Sequence, residues 1–102
     1  MIVVTVLYPA SGGETFDHDY YMSKHMPLVH QRWDDMGLQQ AQVLRGEPGP
    51  DGAKPAFNTI TLLHFSSADA FKAAADAHGP ELFGDIPNFT NAKPTVQFNQ
   101  AS

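Results

Sequence analysis

The sequence predicts an α+β fold with the element order βαββαβ, in which a four-stranded antiparallel sheet carries two helices on one face, as in ferredoxin-like domains. Two observations predict it. Four short segments have the composition and alternation of strands, and two segments with helical periodicity follow capping residues. The 102 residues match the common size of one domain, so we expect a single domain over residues 1–102.

The first strand and the first helix are predicted near the amino terminus. The apolar run from Ile2 to Tyr8 predicts a buried, central strand, and the turn residues Pro9, Ser11, Gly12 and Gly13 end it. Asp17 has the side chain of an N-cap and predicts the start of a helix.

Pro27 divides the first helix in this prediction. A proline disfavours helical geometry at the residue before it but suits a first helical turn. We therefore expect a break near His25 and a new helical segment up to Met36, which Gly37 ends as the C-cap.

The middle of the chain predicts two strands joined by a loop. Residues 39–45 alternate weakly and predict one strand, whereas residues 46–56 hold three glycines and three prolines and predict a surface loop. Phe57 to Phe65 predicts the clearest strand, with apolar side chains on both of its faces.

The last third predicts a second helix and a final strand. Ser66 or Ser67 would cap an alanine-rich helix through His78, which the pair Gly79-Pro80 ends. Residues 81–93 predict a loop that could include a short helical turn. Residues 95–99 predict a strand with Val96 and Phe98 pointing inward.

Composition excludes several classes of function. Eleven acidic and six basic residues give a net charge of -5, which repels phosphate backbones and anionic lipid, so we expect no nucleic-acid partner. The chain has no cysteine, which excludes disulfides and thiolate chemistry. No apolar stretch approaches the roughly 18 residues of a membrane span, and no signal sequence is recognisable, so we expect no membrane partner and a cytoplasmic location.

The predicted sheet has one apolar face that the two helices do not cover. Ile60 and Leu62 or their neighbours lie on it. Burying this face against a second copy would close a barrel, so we expect a homodimer.

Three segments resemble the EthD family: VLYP at Val6 to Pro9, FDHDYYMSKHMPLV at Phe16 to Val29, and DIPNFTNAKPTVQ at Asp85 to Gln97. That family pairs a strand ending in a Tyr-Pro turn with an aromatic helix, a His-x-Pro break and a late Ile-Pro-Asn-aromatic-Thr segment. The resemblance spans nearly the whole chain and implies the dimeric α/β-barrel fold. The family is named for its association with an ether-degrading monooxygenase system, and related barrels include monooxygenases, isomerases, cyclases and haem-degrading enzymes.

His25 is the candidate catalytic residue. It lies at the helix break, where it can face the barrel mouth, and it shares a helical face with Tyr21 four residues earlier. An imidazole beside a phenol suits acid/base chemistry on enolisable or aromatic substrates. The alternatives are that His25 bonds a free carbonyl at the break and that Tyr21 is a packing residue.

His64, Tyr8 and Trp33 are candidate substrate-binding residues. His64 lies mid-strand among apolar neighbours, so it could project into the barrel cavity, which Tyr8 and Trp33 would also line. Each has an alternative role as a core or interface residue.

We expect no cofactor and no metal site. No two histidines have the four-residue helical spacing of a chelate, and no HExxH, nucleotide-binding or nucleophile-elbow motif occurs. The leading hypothesis is an oxidoreductase or monooxygenase, isomerase or cyclase that acts on a small hydrophobic or aromatic molecule, with His25 moving protons and Tyr21 orienting the substrate. The alternatives are a non-catalytic accessory protein that binds a small molecule for a partner oxygenase, and a haem-binding protein.

Overall fold

A computed structural model describes residues 1–10 and 12–101. Ser11, in the predicted turn after the first strand, lies outside the described residues. The elements are β1 (Ile2–Pro9), α1 (His18–Tyr20), a π-helical turn (Tyr21–His25), α2 (Met26–Trp33), a 3₁₀ turn (Asp34–Met36), β2 (Leu38–Arg45), β3 (Phe57–Phe65), α3 (Ala68–Gly84), a second 3₁₀ turn (Ile86–Asn88) and β4 (Thr95–Gln100).

The four strands form one antiparallel sheet in the order β2-β3-β1-β4, which confirms the predicted fold and the central place of β1. Residues Val4 and Val6 of β1 and Thr61 and Leu63 of β3 face the helices and are buried. Because strand side chains alternate between faces, the residues between them point to the opposite face of the sheet. The core therefore lies between the sheet and a single layer of helices.

The first helix does not break at Pro27, which corrects the prediction. Asp17 caps its start as expected, with its side chain accepting a hydrogen bond from the backbone N–H of Tyr20 at 3.0 Å. The helix then widens into a π turn in which the N–H of Met26 bonds to the carbonyl of Tyr21. This wider turn accommodates the proline, so Met26 keeps helical angles and α2 follows without interruption.

Gly37 ends the first helix as predicted. Its φ angle of 106° is in the left-handed region, and a Cβ there would lie 2.9 Å from the side chains of Ala70 and Ser66. The chain turns directly into β2, which begins one residue earlier than predicted.

The second helix is longer than predicted. Ser67 caps it, but α3 continues through Gly79 and Pro80 to Gly84. Pro80 lies on the exposed side, while Leu82 beyond it is only 2 % exposed in the core. Burying Leu82 stabilises the last turn enough to offset the loss of the backbone hydrogen bond that Pro80 cannot donate.

Strand β4 has the predicted orientation but not the predicted burial. Val96 and Phe98 pair with Val6 and Val4, so they lie on the helix side of the sheet. The helices do not reach over them, and Val96 remains 42 % exposed and Phe98 59 % exposed.

No helix within residues 1–10 and 12–101 combines the length and the hydropathy that a membrane crossing requires.

Replacing Leu82 with alanine should lower the free energy of unfolding by about 2–5 kcal/mol, because it removes buried methyl groups and leaves a cavity under the last turn of α3. Met22→Ala is the matched control: Met22 is 53 % exposed on the first helix, and its loss should change stability by about 0.5 kcal/mol or less. Urea denaturation of both variants measures the difference. Equal stabilities would contradict the account of why α3 continues past Pro80.

Candidate active site

A cavity lies between the helix side of the sheet and the helices. Its walls are mostly apolar and come from β1, β3, α2 and α3. Four candidates from the sequence line it: Tyr8, Tyr21, His25 and Trp33. The cavity has a volume of about 30 Å³, enough for about two water molecules, and about 450 Å³ of empty space is found when the adjoining solvent is included.

His25 forms a hydrogen-bonded pair with Asp85. The distance from His25 Nδ1 to Asp85 Oδ2 is 2.9 Å, and His25 is only 6 % exposed. An ionised carboxylate only accepts hydrogen bonds, so Nδ1 carries the proton of this pair and donates it. Nε2 then has a lone pair, and among the described residues it has no hydrogen-bond partner. Since His25 lines the cavity, Nε2 is the ring nitrogen available to a ligand.

The charge state of the pair follows from burial. Burial lowers the pKa of His25 below its ordinary value, and the hydrogen bond and charge of Asp85 oppose this shift without reversing it. The pKa of Asp85 is lowered: burial alone would raise it, but the hydrogen bonds from Asn88, His25 and Tyr20 together outweigh burial. At neutral pH the site therefore holds a neutral imidazole beside a carboxylate.

Asp85 is held by side chains from two parts of the chain. The Tyr20 hydroxyl donates to Asp85 Oδ1 at 2.8 Å, and the Asn88 amide donates to the same oxygen at 2.9 Å. Asp85 directly follows α3, and the 3₁₀ turn after it folds Asn88 back toward the carboxylate. These bonds fix the carboxylate, and the carboxylate in turn fixes the ring of His25.

Aromatic rings hold His25 from its faces and edges. Tyr21 stacks on the imidazole, with ring centroids 5.2 Å apart and an angle of 15° between the planes. Phe89, which is 3 % exposed, lies 4.8 Å from both rings. Phe89 also packs against Tyr8 and Phe16, so the imidazole is part of one aromatic cluster.

Hydroxyl groups supply the other polar atoms of the cavity. The Tyr21 hydroxyl and Thr61 Oγ1 are 2.5 Å apart and both are buried. Burial raises the pKa of Tyr21, although the bond with Thr61 opposes the shift. Burial, together with the neighbouring Tyr21, raises the pKa of Tyr8 far above its ordinary value. Both phenols therefore stay protonated and can act as hydrogen-bond donors.

The structure does not bring His64 to this cavity. His64 is in β3 and pairs with Val3 of β1. It lies on the opposite face of the sheet, because Thr61 and Leu63 form the cavity side of β3. Trp33 does line the cavity, and its indole N–H donates to the carbonyl of Ala74 in α3 at 2.9 Å.

The sequence analysis missed Asp85, Thr61 and Phe89. Asp85 is one of eleven acidic residues, and nothing local distinguishes it from the others. Its position directly before the Ile-Pro-Asn turn was the one available signal.

No group of three or more His, Cys, Asp or Glu side chains within the described part of the chain is arranged to hold a metal ion. His30 forms an exposed pair with Asp34 on α2, with 2.8 Å between Nδ1 and Oδ1. This second histidine–aspartate pair has a similar distance between Nδ1 and the carboxylate but lies outside the cavity.

The fold and the sequence are similar to those of an EthD-like protein from Ralstonia eutropha JMP134. The identity is 39 %, the match covers 97 % of this chain and 89 % of the other, and the TM-score is 0.90. The chain belongs to the EthD family. It is also 30 % identical, over 96 % of its length and 92 % of the relative's, to an uncharacterized 11.0 kDa protein of the thcB-thcC intergenic region of Rhodococcus erythropolis.

Two further structures share the fold at lower identity. An EthD family protein from Bacillus halodurans C-125 is 17 % identical with a TM-score of 0.69, and the match covers 100 % of this chain and 99 % of that protein's chain. SnoaB, a cofactor-independent oxygenase from Streptomyces nogalater, is 11 % identical with a TM-score of 0.66, and the match covers 98 % of this chain and 90 % of the SnoaB chain. No protein-family model matches the sequence.

The three segments that resemble the EthD family meet at this site. Tyr8 comes from the first segment, Tyr21 and His25 from the second, and Asp85 and Phe89 from the third. The segments that carry the family resemblance thus supply the His25–Asp85 pair and the aromatic rings packed around it in this EthD protein.

An NMR titration of the histidine side chains should give His25 a pKa below the ordinary value of about 6.5, and the neutral ring should carry its proton on Nδ1. Asp85→Asn should lower this pKa further, because it removes the charge that stabilises the imidazolium form. Asp34→Asn, in the exposed pair, should leave the titration of His25 unchanged. A proton on Nε2 in the neutral ring would contradict the assignment of Nε2 as the free base.

Proposed function

We propose that this EthD protein is an enzyme that binds a small hydrophobic or aromatic molecule in the cavity and moves a proton through Nε2 of His25. One observation carries the proposal. The Nδ1 atom of a buried, neutral histidine is bonded to Asp85, while Nε2 of the same ring is unpaired at the wall of an apolar cavity. A base with a pKa below neutrality is already deprotonated when substrate arrives.

The same arrangement assigns roles to the neighbouring groups. When Nε2 accepts a proton from a C–H or O–H group of the substrate, Asp85 stabilises the imidazolium that forms. Tyr8 and Tyr21 can donate hydrogen bonds to the oxygen on which negative charge develops. Thr61 orients the Tyr21 hydroxyl. The imidazolium later returns the proton to the product or to an intermediate.

Three reaction types begin with such a step: oxygenation of an activated substrate anion, isomerisation and cyclisation. SnoaB, which shares the fold, is a cofactor-independent oxygenase. Its chemistry supports oxygenation through substrate activation as one member of this set. We keep the monooxygenase, isomerase and cyclase types together as the proposed class.

The identity of any ligand that the protein retains on purification and the roles of His25 and Asp85 can be tested together. Native mass spectrometry of protein purified from its own host identifies the bound molecule, and its conversion then gives the turnover assay. His25→Ala should lower kcat by about 10²–10⁴-fold, because a general base is removed. Asp85→Asn should lower kcat less and move the acidic limb of the pH profile to lower pH, because it lowers the pKa of His25.

The exposed pair supplies the controls. His30→Ala and Asp34→Asn should leave kcat and the pH profile unchanged, and circular dichroism should show that all four variants are folded. The wild-type rate should rise with pH through the lowered pKa of His25 and then stay level. Turnover at the wild-type rate in His25→Ala would overturn the role of His25, and a bound ligand that the wild type never converts would identify a carrier.

We further propose that the protein works as a homodimer built on the open face of the sheet. At the centre of this face lie the half-buried side chains of Leu7, Ile60 and Leu62. Its paired strand positions carry no Asp, Glu, Lys or Arg, although charged residues make up 17 % of the chain. An uncharged face with an apolar centre is suited to burial against its own copy.

Leu62→Lys should convert the dimer to a monomer, because association would bury an unpaired ammonium group at the centre of the interface. Sedimentation at micromolar concentration measures this. Met22→Lys, which places the same charge on the helix layer, should leave the dimer intact. A wild-type protein that sediments only as a monomer would contradict the proposal.

A further inference from the structure

The cavity opens between α3 and β4. Among the described residues that line it, only Phe83 and Val96 are exposed, at 41 % and 42 %, and they lie on the two sides of the opening. Phe83 is in the last turn of α3, whereas Val96 is in β4. The cavity holds only about two water molecules, so a ligand with a ring must extend out of it past Phe83 and Val96.

An apolar strip continues from the mouth along β4. Phe98 lies two residues beyond Val96 on the same face of the sheet and is 59 % exposed. Its ring packs edge-on against Phe71 at 5.3 Å, and Phe71 itself lines the cavity. We call Phe83, Val96 and Phe98 the mouth strip.

The mouth strip is unusual for the surface of this chain. Among the described residues six large apolar side chains are exposed, and three of the six form the strip. Single exposed apolar residues need no explanation, but a group that is continuous with a cavity favours an apolar ligand. The second copy proposed above would occupy the opposite face of the sheet, so it does not cover the strip.

The lining also selects against charge. It includes no Lys, Arg, Asp or Glu side chain. Asp85 stands behind His25 as a carboxylate, and its negative charge repels an anion placed at Nε2. A carboxylate or phosphate would lose its hydration in the cavity and gain no cation in return.

We infer that the ligand is neutral and elongated, with an oxygen-bearing ring end beside His25 and Tyr21 and a hydrocarbon part that extends through the mouth onto Val96 and Phe98. This inference rests on the proposed function, because it takes the cavity to be the ligand site. It makes the mouth strip the element that selects ligand length. Each added methylene that lies on the strip should tighten binding by up to about fourfold.

The probes are para-alkylphenols from methyl to hexyl and the para-alkylbenzoates of the same lengths. Isothermal titration calorimetry of the full chain measures their affinities, and the fluorescence of Trp33, the one tryptophan of the sequence and part of the cavity wall, reports entry into the cavity. We expect the phenols to bind more tightly as the chain lengthens, and the benzoates to bind at least tenfold more weakly than phenols of equal length.

Two variants locate the hydrocarbon part. Phe98→Gln and Val96→Thr should each lose most of the gain in affinity on going from the methyl to the hexyl compound. Met22→Gln, which removes an apolar side chain of similar exposure away from the strip, should keep the full gain.

The outcomes separate this inference from the proposed function. If the methyl compound quenches Trp33 but affinity does not rise with chain length, the elongated ligand is wrong and the cavity function stands. Benzoates that bind as tightly as phenols would overturn the requirement for a neutral ligand. If no probe binds, both proposals are overturned. If Phe98→Gln changes the sedimentation of the protein and not the chain-length series, a second copy covers the strip and the inference fails.

Discussion

The position of the Asp85 carboxylate sets the geometry of the rest of the site. It accepts hydrogen bonds from His25, Tyr20 and Asn88, so it joins the first helix to the segment that follows α3. Asp85 can occupy this place because α3 continues past Pro80 and ends at Gly84. If it were displaced, the neutral imidazole would lose its proton acceptor in a nearly dry environment, where an unpaired polar group costs about 1–3 kcal/mol. Structure and proposed chemistry therefore depend on the same contact.

Much of the fold was predictable because local patterns and tertiary packing agree. The apolar runs predicted β1 and β3 nearly residue for residue, and Gly37 ended the first helix because only a residue without a Cβ fits its left-handed angle and its neighbours. The errors in the two helices came from prolines. At Pro27 a wider helical turn accommodates the missing donor, and at Pro80 the burial of Leu82 outweighs it. Neither effect is visible in propensity alone, since both depend on what packs against the helix.

The candidate site was predictable in the same partial way. His25, Tyr21, Tyr8 and Trp33 lie on segments whose periodicity predicts one buried side, and all four line the cavity. Asp85 lies 60 residues from His25, and a contact at that separation leaves no local pattern. His64 lies on the other face of the sheet from this cavity: β3 carries apolar side chains on both faces, and the sequence does not say which face the helices cover.

The π turn constrains the number of residues in the first helix more than their identity. Its three middle residues, Met22, Ser23 and Lys24, are all exposed, so their side chains are free to vary. Removing any one of them would return the segment to α geometry and bring the ring of Pro27 against the carbonyl four residues before it. That clash would kink or break the helix just before α2. Among related chains, this segment should therefore tolerate substitutions freely and almost never a single-residue deletion.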